Sequence, residues 1–389
     1  MARITLEQSL SRLRPQGKRK AKGKSLELVE SINDNVFVVG SPDGGFVTPA
    51  DDELPAILGA WEGETDLPPG LQNLLGDYAD EVGWWQRVGH ALDADEGAAS
   101  GRESIPAMVK TKWAQGGPWN NNLTFDGKQC LVGCAAVAIS QILHYWYTRG
   151  YRRGCKPTKK YKTRTNLYNV DALPALTVFD YADLTEGKPT TKASINAVAT
   201  MLEYVGKALQ SDYAVGGTSV WTSDIVPVLR DYLRMGKGVK EINSAYTTAK
   251  NFEATIYGEL VNRCPVILFG TGERGGHFFV CDGYDAVYDL YRINWGWGGS
   301  CDGYYALSAL TPGVKAYNTR KRAYVGIKPE YILGDVNGDG AIDISDAMQV
   351  IQDVQQGKNS EQADINSDGQ VTVTDAQIII DKILGRNDL

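Results

Sequence analysis

The stretch Cys130-Leu-Val-Gly-Cys-Ala-Ala-Val-Ala-Ile-Ser-Gln-Ile-Leu-His-Tyr-Trp146 decides how the chain is read. From Ala135 to Trp146 its residues are apolar nearly all the way round, the pattern of a buried helix. Cys134 stands at the start of that helix. The unpaired backbone N–H groups and the dipole there favour a thiolate over a thiol, and Gly133 lets a substrate approach the backbone closely. A small buried cysteine also packs as a hydrophobe, so this stretch alone leaves Cys134 either a reactive thiol or a core residue.

A thiolate nucleophile requires a base within hydrogen-bond reach. The histidines are His90, His144 and His277. His144 lies on the same helix as Cys134, about 15 Å along it at 1.5 Å rise per residue. His90 precedes residues 93–104, a small, polar segment that reads as a linker and a natural nicking site; a cut there would remove it. His277 remains, in Gly275-Gly-His-Phe-Phe-Val-Cys-Asp-Gly283, where strand alternation puts His277, Phe279 and Cys281 on one face. Alone, a histidine at a strand end is as well read as a hydrogen-bonded structural residue.

Working outward, residues 4–30 read as helix and basic loop, and 35–48 as a hairpin around Pro-Asp-Gly-Gly. Residues 55–61 read as a short strand, and 71–89 carry apolar residues at helical spacing. A helix is expected over 192–205. Strands are expected over 277–283, 290–295, 304–307 and 324–328. Helices first and antiparallel strands later predict an α+β fold. Three domains are expected: residues 1–95, 96–329 and 333–389.

The composition, 43% hydrophobic and 22% charged, is that of a soluble globular protein. No apolar run is long enough to span a membrane, and the N-terminus lacks an apolar signal core, so the chain either stays inside or had a signal peptide removed. The basic run at residues 18–24 has no interleaved aromatics and reads as a solvated segment, not a nucleic-acid site. Six cysteines without a CxxC pair exclude a zinc ribbon or thioredoxin-type site.

The net charge of −7 is unevenly placed, because residues 333–389 alone carry −8. That tail holds an internal repeat: Asp335-Val-Asn-Gly-Asp-Gly-Ala-Ile-Asp-Ile-Ser-Asp346 recurs as Asp364-Ile-Asn-Ser-Asp-Gly-Gln-Val-Thr-Val-Thr-Asp375. Both copies fit a calcium loop. The first offers Asp335, Asn337, Asp339, the Ala341 carbonyl, Asp343 and Asp346, with Gly340 at the sharp turn. The second offers Asp364, Asn366, Asp368, the Gln370 carbonyl and Asp375, with Gly369 at the turn. Oxygen donors of this kind call for a hard cation, so about two Ca²⁺ ions are expected.

These motifs together resemble the streptopain family of papain-clan cysteine peptidases, which includes the interpain-like enzymes. The resemblance rests on Lys112-Trp-Ala-Gln-Gly-Gly-Pro-Trp-Asn120, Gly133-Cys-Ala-Ala-Val-Ala-Ile-Ser-Gln141, Gly276-His-Phe-Phe-Val-Cys-Asp-Gly283, Asn294-Trp-Gly-Trp-Gly-Gly299 with Asp302-Gly-Tyr-Tyr305, and Val325-Gly-Ile-Lys-Pro329. It covers residues 30–329. It implies a papain-like domain that hydrolyses peptide bonds in proteins, with Cys134 as nucleophile, His277 as base and Gln115 as oxyanion donor. Trp295 would shield the histidine, its indole N–H facing the oxyanion region, and Asn294 would orient the imidazole or hold the loop. Trp297 reads as core packing. The resemblance also implies a zymogen whose residues 1–95 are an inhibitory propeptide, cut within 93–104. Cys130 and the basic stretch 148–170 depart from the family's pattern. The paired calcium loops, each followed by an apolar helix, look like a dockerin, whose partner class is the cohesins, and such a module implies a secreted or surface-associated protein. Two alternatives compete. One is a polysaccharide-degrading enzyme, for which no carboxylate pair is evident. The other is a non-catalytic protein-binding protein on the same fold.

Overall fold

The computed structural model describes residues 3–13, 26–88, 101–149, 151, 156–174, 183–272, 275–308, 321–329, 333–337, 341–359, 362–366 and 368–386. The basic run 18–24, His90, Cys155, most of the 93–104 linker, and Asp339 and Gly340 lie outside them. In chain order, helix α1 (Leu6–Leu13) precedes strands β1 (Glu27–Ile32), β2 (Val36–Ser41), β3 (Gly44–Pro49) and β4 (Gly59–Glu62), then helix α2 (Pro69–Val88). Next come β5 (Thr124–Phe125), β6 (Lys128–Gln129), α3 (Cys134–Tyr147), β7 (Tyr161–Lys162), β8 (Asn169–Val170) and α4 (Lys192–Ala208). A short turn of helix α5 (Ile225–Pro227) continues as a π-turn over Val228–Tyr232. Then follow β9 (Lys240–Asn243), α6 (Ala249–Val261), β10 (Val266–Gly272), β11 (Gly275–Asp285), β12 (Leu290–Asn294), β13 (Gly303–Tyr305) and β14 (Arg322–Val325). Helices α7 (Ile344–Gln355) and α8 (Val373–Ile383) close the chain.

The chain divides into two compact units. The first comprises Met1–Gln115, Glu186–Lys188 and Lys240–Gly326. Its framework is one ten-stranded sheet in the order β1-β2-β3-β4-β13-β12-β11-β10-β14-β9. The expected hairpin is β2–β3, turning tightly at Gly44 (φ 142°). Four strands from the N-terminal segment thus continue the sheet built by residues 240–325. The join is antiparallel: Gly59, Ala60 and Trp61 face Tyr305, Tyr304 and Gly303. A core cluster of Phe37, Val39, Ile57 and Ala60 takes in Leu290 from the other half of the sheet. Three differences from the sequence reading have physical causes. Residues 27–32 form an edge strand rather than loop, because pairing with β2 decides them and not their own burial. The strand expected at 55–61 begins only at Gly59, after Pro55, which lacks an N–H to pair. Strand β10 and helix α6 are additional elements, α6 burying Phe252, Ile256 and Leu260 at helical spacing.

The second unit comprises Gly116–Thr185, Pro189–Val239 and Ile327–Leu389. Helix α3 is buried from Ala135 to Trp146, as its all-round apolar sequence requires. It packs on α4, and its Trp146 indole donates to the Ile327 carbonyl at 2.8 Å. Thr191 and Ser194 cap α4 reciprocally, a motif worth about 1 kcal/mol. Helices α7 and α8 share a small core of Val336, Ala347, Val350, Ile365, Ala376 and Ile379. None of the helices among the described residues is long and apolar enough to cross a membrane.

Candidate active site

Cys134 is the first residue of α3 and half-buried. Gly133 caps the helix at φ 97°, ψ 140°, a conformation open to glycine, and a Cβ there would press on Thr218 at 3.0 Å. The first turn therefore presents its unpaired N–H groups beside the sulfur. His144 is buried further along α3. Cys130 is fully buried, and burial pushes its thiol above the usual range against the pull of Lys128. Burial likewise raises Cys281, and brings Cys301 up to about 12.

Gln115 sits half-buried in the bend between the buried Trp113 and a cis Gly117–Pro118 peptide.

His277 is the third residue of β11 and 4% exposed. Its Nε2 lies 2.9 Å from the Trp295 carbonyl. A carbonyl only accepts, so Nε2 carries the proton, and in the neutral ring Nδ1 is the basic nitrogen. Phe279 stacks on the imidazole, with centroids 6.3 Å apart, on the face that strand alternation predicted. Trp297 meets it edge-on at 6.4 Å. The ring assigned from sequence to core packing is thus the one beside the histidine. Trp295 is fully buried between Phe279 and Tyr305, and its indole N–H donates to the Cys301 carbonyl at 3.1 Å instead of facing an oxyanion region. Asn294 holds the loop: its Nδ2 donates to the Thr111 carbonyl at 2.7 Å, and its Oδ1 accepts from Gly296 N–H at 3.0 Å. That bond fixes the peptide plane whose carbonyl meets His277.

Helix α2 lies directly on this half-site. A Cβ at Gly70 would come within 2.3 Å of His277 Cδ2 and 3.0 Å of the Trp295 ring. Asn73 donates to the Gly275 carbonyl at 2.8 Å. Between helix and sheet is an apolar cavity lined by Gly70, Leu74, Phe269, His277, Phe279 and Ile293. The sequence reading found α2 but not its contact, because Gly70 precedes the apolar period and carries no side chain to signal a partner.

A Peptidase C10 family profile matches residues 113–305, and a Dockerin type I domain profile matches residues 333–384. The chain is a streptopain-like cysteine peptidase. Streptopain of Streptococcus pyogenes is 27% identical over 352 residues, spanning 80% of this chain and 86% of that one. The thiol protease/hemagglutinin PrtT of Porphyromonas gingivalis is 27% identical over 328 residues, 76% of this chain and 37% of its own. Among solved structures, a prointerpain A fragment from Prevotella intermedia matches at TM-score 0.66 and 26% identity, covering 79% of this chain and 99% of the fragment. Active interpain A from the same organism matches at 0.51 and 26%, covering 59% and 96%. The streptopain-like chain is therefore a cysteine endopeptidase of papain-like α+β fold with a dockerin module at its C-terminal end, and the non-catalytic alternative gives way.

The dockerin module belongs to a calcium-binding class, and its donors fit a hard cation. Asp346 and Asp375, at the last loop positions, are fully buried. Asp375 accepts from Ile365 and Asn366 N–H on one oxygen and from Thr372 on the other. Asp346 accepts from Asn337 and Asp343 N–H. Asp364 accepts from Asp368 and Gly369 N–H, with Gly369 at φ 85°. Asp335 is buried; Asp343, which caps α7, and Asp368 are at the surface. Among the described residues, which omit Asp339, no three such side chains close to metal-binding distance. That spacing follows from the loop carboxylates being turned onto the loop's own N–H groups. The cation would bind through carboxylate and amide oxygens and order the two loops.

Proposed function

We propose that the chain is the zymogen of a Cys–His endopeptidase whose residues 1–95 are the propeptide. The observation that carries this reading is the seat of Gly70 against the imidazole of His277: the helix occupies space that a substrate would need. The longer match to the prointerpain fragment than to active interpain supports it.

After activation, His277 Nδ1 takes the Cys134 proton, favoured by the helix N-terminus. The thiolate attacks the scissile carbonyl, and the Gln115 amide donates to the developing oxyanion. The C–N bond breaks as the imidazolium gives its proton to the leaving amine. Water then enters, His277 takes one of its protons, and hydroxide attack on the thioester releases the acid and restores the thiolate. Phe279 and Trp297 exclude water from the imidazole.

Activation cleavage belongs upstream of Arg102. That residue is held by an ion pair with Asp289 at 3.8 Å, a bond to the Tyr291 hydroxyl at 3.1 Å and the ring of Tyr257 at 4.8 Å. The following residues are pinned too, with Ile105 N–H donating to the Tyr284 carbonyl at 2.8 Å. In the dockerin module, Asp335, Asn337, Asp339, Ala341, Asp343 and Asp346, and Asp364, Asn366, Asp368, Gln370 and Asp375, hold one Ca²⁺ per loop. The module anchors the enzyme outside the cell to a cohesin-type partner.

The test is casein hydrolysis before and after limited proteolysis, beside Cys134→Ala. Activity that appears with loss of about 10 kDa (roughly 95 residues), is blocked by iodoacetamide and is absent in the variant is the expected result. A cleanly nicked, reduced enzyme without activity would refute the zymogen reading.

A further inference from the structure

The Trp295 carbonyl determines the tautomer of His277, so whatever fixes residue 295 matters to the base. Its carbonyl side is held through Asn294. Its N–H side is held by a group that the mechanism above does not use. Asp302 Oδ1 accepts from Trp295 N–H at 2.9 Å. The carboxylate is 7% exposed, and its second oxygen lies 3.7 Å from Arg292 Nη2. Arg292 Nη1 is 3.0 Å from Asp282 Oδ1, and Asp282 is fully buried. Asp282 Oδ2 in turn accepts from Met108 and Val109 N–H at 2.9 and 2.6 Å. A line of buried charges therefore runs from residues 108–109 across strands β11 and β12 to the loop that carries Trp295.

We propose that Asp302, braced by Arg292, is a positioning residue for the catalytic base: it holds Trp295 by its N–H so that the carbonyl of the same residue keeps the His277 proton on Nε2. This inference rests on the reading of His277 as the base. The energetic logic favours function over stability. A buried carboxylate flanked by another carboxylate is costly unless paired, and an apolar residue would fill the site at less cost. A rigid acceptor of full charge gives a short, strong bond to one backbone N–H.

The environment also makes this hold sensitive to pH. Burial pushes the Asp302 carboxyl up to about 6, with Asp282 adding to the rise, while Arg292, the Trp295 N–H and Lys112 oppose it. The Cys301 thiol and Tyr305 hydroxyl face the same carboxylate, and both stay neutral through that range because burial raises them. Above about pH 6 the carboxylate is ionised and holds Trp295. Below it the carboxyl is neutral, the Arg292 pairing is lost and the grip on residue 295 slackens. The mature enzyme then has an acid limb near pH 6 that belongs to neither member of the dyad.

The test uses the full chain after activation, with peptide hydrolysis followed from pH 5 to 9 for Asp302→Ala and Asp302→Asn beside His277→Ala. Misplacing the base by a fraction of an ångström is expected to lower kcat of Asp302→Ala about 10–100-fold with KM within about twofold. Asp302→Asn offers an amide oxygen to the same N–H. As the neutral counterpart of the protonated carboxyl, it is expected to run between Asp302→Ala and the wild type at pH 8 and to show no limb near pH 6. A wild-type kcat in Asp302→Ala, an Asp302→Asn variant as slow as Asp302→Ala, or an acid limb that persists in Asp302→Asn each overturns the inference. Should Asp302→Ala fail to fold, the pH profile of Asp302→Asn decides alone. An active His277→Ala would remove the base reading itself. An inactive His277→Ala beside a wild-type-like Asp302→Ala would remove only this inference.

Discussion

The join between the two halves of the ten-stranded sheet differs from the β10–β11 pairing inside the C-terminal half. Inside the C-terminal half, β10 and β11 pair continuously from Val266↔Cys281 to Gly272↔Gly275, and large side chains such as Trp295, Tyr291 and Tyr324 fill the core. At the join, β4 meets β13 over Gly59–Trp61 only, and glycines line it. A Cβ at Gly303 would strike the Ala60 carbonyl at 2.3 Å, and one at Gly59 would enter the Tyr305 ring at 2.5 Å. The contrast teaches that the join is close-fitting but short. Beside the core cluster that takes in Leu290, it depends on close backbone fit at the glycines, as suits a surface proposed to part on activation.

The largest effect should come from the half that stays. His277→Ala is expected to abolish casein hydrolysis, by at least about 10³-fold, whether or not residues 1–95 are removed; nicked and intact samples assayed side by side check this. Next comes the helix that covers the histidine. Gly70→Leu places a side chain where even a Cβ meets the imidazole, so α2 must lift. Self-processing should then accelerate about tenfold or more, a loss of roughly 1.4 kcal/mol of latency or greater, read by gel from the rate at which the precursor band disappears. At the seam, Gly303→Ala should weaken rebinding of the separated propeptide, with little change in the mature enzyme's melting temperature, because the nearest atoms to the added methyl all belong to β4. Calorimetric titration of the two pieces measures it.

A smaller effect lies in the half that stays. Burial raises Glu253 to about 7, with Asp289 adding to the rise and Arg102 and Lys321 opposing it. The native state then binds this proton more tightly than the unfolded chain does, so stability falls as pH rises from about 4.5 to 7. Glu253→Gln should stabilise at pH 8 by up to about 3 kcal/mol, with the gain vanishing below about pH 4.5. Urea melts at the two pH values distinguish this from a loss of packing.

Much of the architecture was legible because local pattern decided it. The all-round apolar run of α3, the 3.6-residue period of α2 and the Pro-Asp-Gly-Gly turn of β2–β3 each carry their own signal. The seam was not legible, since strand pairing between residues 59–61 and 303–305 is non-local and each side is only three residues long. Within the site, residue types pointed to Cys134 and His277, while the roles of their neighbours depended on direction. The Trp295 indole turns to Cys301 and the Trp297 ring to His277, a choice that Trp-Gly-Trp spacing cannot encode when a glycine at φ 67°, Gly296, separates the rings. Asp302 was read only as part of a family motif and given no role, because a single Asp before Gly-Tyr reads as a turn residue.

The burial of the thiols has a practical consequence. The five described cysteines are thiols rather than disulfides. Cys130, Cys264, Cys281 and Cys301 are enclosed, and burial holds three of them protonated at neutral pH. Cys134 alone among them is partly open to solvent. A fluorescent haloacetamide applied to the native protein therefore acts as a one-site label within this set, so that the dye incorporated per chain counts accessible Cys134 thiols.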